Sequence, residues 1–132
     1  MHTKKHFLTF DGLVDLLSVA TYGNYWPLIK VYKSDAETGM FDNCECLEEK
    51  WATALLNGKG VVVYDMYEAD NELNDGEAPV KHHLTLSDIS KALTKMRKEY
   101  PSDWADLVEE NDDLCTGDIF LQLAVFGEVI YG

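Results

Sequence analysis

The chain has 132 residues, 46% of them hydrophobic, enough for one core that buries roughly two-thirds of the unfolded surface. Twenty-four Asp and Glu against eleven Lys and Arg give a formal net charge of −13, a field that repels phosphate backbones and argues against direct nucleic-acid binding. No apolar run approaches the length of about 18 residues that spans a bilayer, and Asp11 arrives too soon after the first apolar residues for a secretory leader, so a single cytoplasmic domain over residues 1–132 is expected.

In chain order, Thr9 precedes Phe10, Leu13, Val14, Leu16, Leu17 and Ala20, whose spacing paints one helical face, and Gly23 stops it. The pattern predicts a helix over residues 10–22 with Thr9 as N-cap. Pro27 breaks the chain, and the short β-branched and aromatic run 28–32 reads as a strand. A polar loop over 34–39 leads to helical spacing at Leu47, Trp51, Ala54 and Leu55, with Asp42 or Asn43 as the expected cap. Gly58-Lys59-Gly60 lacks the spacing of a phosphate-binding loop and reads as a helix-to-strand turn. Val61, Val62 and Val63 mark the clearest strand, over 60–67, expected to be central.

An acidic loop over 68–79 then leads to a strand over 80–86 that pairs with the valine strand as a hairpin. Ser87, Asp88 and Ile89 start a helix with Ile89, Ala92, Leu93, Met96 and Tyr100 inward, and Pro101 stops it. Ser102 is expected to cap a short helix through Trp104, Leu107 and Val108. Thr116 opens a last helix, almost without a polar face and so buried on most sides. Residues 127–132 read as a short edge strand. The sum is an α+β fold, a small antiparallel or mixed sheet of about three strands covered by about five helices.

The acids are unevenly placed. Asp65, Glu68, Asp70, Glu72, Asp75 and Glu77 follow one another without a Lys or Arg, and from Glu99 to the end Asp103, Asp106, Glu109, Glu110, Asp112, Asp113, Asp118 and Glu128 meet no basic residue at all. Carboxylates spaced along residues 103–118 can stand in for the phosphates of a nucleic acid and occupy a basic groove of another protein, or form a solvated face.

Other constellations carry competing chemistry. Cys44 and Cys46 form a C-x-C pair that could share zinc if His82, His83 or Cys115 completed the set, but structural zinc usually shows two such pairs. The odd count of three cysteines reads as reduced thiols, and no metal or cofactor is expected. His82 and His83 point to opposite strand faces, and either with Asp65 offers a general acid or base without a nucleophile beside it; no residue is assigned a catalytic role. The block from Asp70 to Gly76 resembles a calcium loop, but its glycine is seventh and no glutamate is twelfth. Tyr22, Tyr25, Trp26 and Tyr32 read either as a binding surface or as a cap on one end of the core.

The C-terminal run matches D-x-x-x-Q-x-A-x-F-G-E-x-x-Y-G at Asp118, Gln122, Ala124, Phe126, Gly127, Glu128, Tyr131 and Gly132. It resembles the tail of a family of small acidic proteins from phages and conjugative elements of gut bacteria. Tyr25-Trp26, the stretch from Leu55 to Gly58 and the strand from Val61 to Asp65 also correspond. The resemblance implies a mobile-element origin and, with it, an inhibitor of host defence of the anti-CRISPR or anti-restriction type. The expected function is a non-enzymatic module that binds the basic surface of a larger protein, such as a nuclease effector, with no direct nucleic-acid or membrane contact and a homodimer left open. The alternatives are a small hydrolase using His82 or His83 with Asp65, and a metal-dependent structural module.

Overall fold

The computed structural model describes residues 6–69, 80–110 and 114–131. Along the chain run α1 (Phe10–Thr21), β1 (Pro27–Lys30), α2 (Lys33–Ala36), α3 (Leu47–Leu56), β2 (Val61–Asp65), α4 (Met66–Ala69), β3 (Val80–Leu84), α5 (Leu86–Glu99), α6 (Pro101–Val108) and α7 (Leu114–Phe126). The strands form one antiparallel sheet in the order β1-β2-β3, so the valine strand is central and its hairpin partner is β3, as expected. The fold is α+β, with five helices of eight residues or more and two single turns, α2 and α4, among the described residues.

Strand alternation sorts the sheet into two faces. The register puts Ile29, Val63 and His82 in one row and Val61 opposite Leu84 on the same face, where the side chains of Val61, Val63 and Leu84 are wholly buried. α1 packs on both α3 and α7, and α5 on both α6 and α7. Leu13, Leu16, Leu17 and Ala20 of α1 join Trp51 and Leu55 of α3, Ile89 and Met96 of α5, and Phe120 and Leu121 of α7 in one core. Each large aliphatic side chain so buried contributes about 1.5–3 kcal/mol relative to exposure. α7 is buried on most of its circumference, from Thr116 and Gly117 through Phe120 to Ala124.

Local chemistry sets the helix ends. Thr9 caps α1, its hydroxyl accepting from Gly12 N, as the sequence predicts. Thr85 caps α5 in a reciprocal capping box with Asp88, one residue ahead of the expected start. Elsewhere the boundaries differ. α3 starts from Cys46, with no side-chain cap bond, because Asp42 and Asn43 are used up in the turns that precede it; Glu49 instead reaches back to accept from Glu45 N at 2.8 Å. Pro101 ends α5 and also opens α6 at its first position, with Tyr100 rather than Ser102 as the cap, since a helix's first residue needs no N–H donor. α7 begins at Leu114 rather than Thr116, and α2 occupies part of the expected polar loop.

The largest departure is the tail. Residues 127–131 are not a strand, because the backbone N–H groups of Ile130 and Tyr131 both donate to the Gln122 side chain, at 2.8 Å each. The Gly127 φ of +78° lets the chain leave α7 and double back, a conformation natural to glycine.

α1 and α7 approach so closely at Gly117 that a Cβ there would collide with the Val19 carbonyl oxygen. Gly117→Ala should therefore destabilise the protein by about 1–3 kcal/mol, read as a lower urea midpoint at unchanged slope; an unchanged midpoint would mean the two helices separate freely.

Candidate functional site

α6 is the described part of the acidic C-terminal region. Asp103 and Asp106 are half-buried on it, three residues apart and so on one face, and Glu109 and Glu110 are exposed at its C-terminal end. Asp103 falls in the first turn, where the helix dipole favours negative charge. Among the described residues the side chains of Asp103, Asp106 and Glu109 make no hydrogen bond or ion pair. Glu110 takes a φ of +61° and turns the chain away from the helix. Asp112, Asp113, Asp70, Glu72, Asp75 and Glu77 lie outside the described residues, as does the calcium-like loop, and Glu68 is described only as part of α4.

The cations sit on the adjoining helix. α5 carries Lys91, Arg97 and Lys98 exposed and Lys95 half-buried, and α5 and α6 are joined through the single residue Tyr100. Lys95 pairs with Glu99 at 3.8 Å and donates to Gly127 O at 2.6 Å. The cations of α5 and the unpaired carboxylates of α6 thus lie on consecutive helices.

Asp118, Gln122, Ala124, Phe126 and Tyr131 of the C-terminal sequence pattern pack inward instead, while Gly127 and Glu128 are exposed. Gln122 is fully buried. Its Oε1 accepts from Ile130 N and Tyr131 N, and its Nε2 donates to Asp118 Oδ2 at 2.9 Å and to Tyr131 O at 3.2 Å. Asp118 Oδ1 accepts from Trp26 Nε1 at 2.7 Å and Asn24 Nδ2 at 3.0 Å. The Tyr131 hydroxyl donates to Asp65 Oδ2, and Asp65 Oδ1 accepts from Tyr67 N at 3.0 Å. Around these bonds Trp26, Phe126 and Tyr131 pack ring against ring, with centroids 4.9–5.9 Å apart. Trp26, Asp65, Asp118, Gln122, Phe126, Gly127 and Tyr131 therefore act together to hold the tail against the sheet.

The two histidines separate as strand geometry requires. His82 turns inward, its ring edge-on to Phe126 at 5.0 Å, and its Nε2 is buried with no hydrogen-bond partner among the described residues. His83 is exposed, and its Nδ1 lies 2.5 Å from the Tyr32 hydroxyl. Partial burial, then Tyr64, then Asp35, raise the Tyr32 pKa above the ordinary tyrosine value. Asp65 and His82 share the inner face, but the Asp65 carboxylate is engaged by Tyr131 and Tyr67. Of the aromatic set, Trp26 is core, Tyr32 is tied to His83, and Tyr22 and Tyr25 are about 80% exposed.

The cysteines are apart in character. Cys44 Sγ lies 3.5 Å from Thr53 Oγ1, while Cys46 and Cys115 are exposed and free. Among the described residues no group of three or more His, Cys, Asp or Glu side chains is placed to hold a metal ion, and no helix is long and apolar enough to cross a membrane.

Gln122→Leu removes the acceptor of two backbone N–H groups and the donor to Asp118 and Tyr131 O, and should cost about 3 kcal/mol, with hydrogen exchange at Ile130 and Tyr131 accelerating ahead of the core. His82→Phe keeps the contact with Phe126 and removes the orphaned nitrogen, so it should raise stability by about 1 kcal/mol; a lower thermal midpoint would show that the imidazole has a polar role. Compared with protein-family models, with curated proteins and with solved structures, the chain matches none.

Proposed function

We propose that this is a non-enzymatic, cytoplasmic binding protein of a mobile genetic element that docks its acidic face onto the basic surface of a larger nucleic-acid-processing protein. The target class is a nuclease effector of host defence, blocked in the anti-CRISPR or anti-restriction manner by carboxylates standing where phosphates would lie. The observation that carries this reading is charge segregation. Asp103, Asp106 and Glu109 have no cation of their own among the described residues, and the chain beyond Glu99 has no Lys or Arg. A net charge of −13 repels nucleic acid itself, and steers encounter toward basic proteins instead.

The test is a pull-down from bacterial host lysate with the immobilised protein and with a combined Asp103→Asn, Asp106→Asn, Glu109→Gln variant. The expected result is a nucleic-acid-binding protein retained at ~50 mM salt and largely released by ~200 mM. Duplex DNA should compete it off, and the variant should retain at least about tenfold less. No retained protein at low salt, or retention indifferent to the three substitutions, would end the proposal.

A further inference from the structure

A second surface feature has the opposite character and lies beyond that reading. Residues 6–9, α5 and α6 enclose a groove of about 690 Å³, within the range of pockets that take small molecules. Phe7, Leu93, Trp104 and Val108 supply its apolar lining, and Arg97 its one fixed cation; none of its lining residues is acidic, in a chain with 24 acids.

The groove is built rather than incidental. Its N-terminal wall is fixed because Thr9 Oγ1 donates to His6 O at 3.1 Å and accepts from Gly12 N at 3.1 Å. Gly12 lets that wall lie directly on α1, where a Cβ would collide with the His6 carbonyl oxygen. Phe7 is buried and its ring stands 5.6 Å from that of Trp104, which joins the wall to α6. Arg97 is the only arginine of the chain, and among the described residues it has no hydrogen bond or ion pair, whereas Lys95 two residues away is engaged by Glu99 and Gly127. A planar guanidinium with its donors unspent beside an apolar cleft is suited to bidentate capture of one anionic group.

We propose that this groove binds a small amphiphile with a single anionic head held by Arg97 and an apolar, ring-sized body seated among Phe7, Leu93, Trp104 and Val108. One cation and an apolar lining match one head and one body, and do not match a polyanion, which needs a row of cations.

The probe is 1-anilinonaphthalene-8-sulfonate, whose emission rises in apolar surroundings, set against its uncharged relative N-phenyl-1-naphthylamine, with the full chain. Saturable sulfonate binding is expected, weakened about tenfold by Arg97→Gln and by less than about twofold by Lys98→Gln, a neighbouring charge outside the groove. The uncharged probe should bind more weakly and ignore Arg97→Gln. Thr94→Trp, which fills the groove from an exposed position, should weaken both probes, and circular dichroism verifies that each variant is folded. Equal losses in the Arg97 and Lys98 variants, tighter binding of the uncharged probe, indifference to Thr94→Trp, or no binding would overturn the proposal. Binding gained only on removing residues 1–5 would also overturn it, by naming the chain's own N-terminus as the occupant.

Discussion

The fold depends on one buried carboxamide. A glutamine side chain has two donors and two acceptor lone pairs, and Gln122 has a partner for all four. In a low-dielectric interior such a group is costly when short of partners and rigidifying when complete. Two of its bonds go to tail N–H groups, one to a tail carbonyl and one to Asp118 a turn earlier on the same helix. α7 cannot rotate about its axis without losing the three bonds to the tail. Asp118 passes the constraint to Asn24 and Trp26, so the orientation of α7, the path of the tail and the link from α1 to β1 are determined together.

The same arrangement explains how a strongly acidic chain keeps carboxylates inside. Asp118 is satisfied by an indole, a carboxamide and a second carboxamide, and Asp65 by a phenol and a backbone N–H. Hydrogen bonds of this kind offset the cost of burying a carboxylate. Lysines are thereby left for the surface, where Lys30 and Lys81 lie 6.0 and 5.9 Å from the centroid of the Tyr64 ring on the outer face of the sheet.

Much of this was legible in the sequence where the signal was local. The three valines of β2, the apolar spacing of α1 and α5 and the Thr9 cap each follow from neighbours a few residues apart. In the sequence the tail reads as a strand because Val129, Ile130 and Tyr131 look like one, and nothing local reveals that the Gln122 side chain takes the amides of Ile130 and Tyr131. The start of α3 differs from the sequence pattern because Asp42 and Asn43 are good caps by type but lie in the turns that precede it. The acidic surface of α6 was legible because its residues are contiguous. The groove was not, since its walls come from three stretches brought together only by packing, and its telling property is the acids it lacks.

The single-residue joint at Tyr100 has one more consequence. A helix with Arg97 and Lys98 in its last turn and a helix bearing unpaired carboxylates meet at an elbow with no loop to bend, and Pro101 removes a torsional freedom at its corner. Separated charges on a stiff frame make a permanent molecular dipole, and a dipole feels torque in an external field. Approaching a charged surface, the protein would be turned before it touches, and this corner contributes to the orientation in which it arrives.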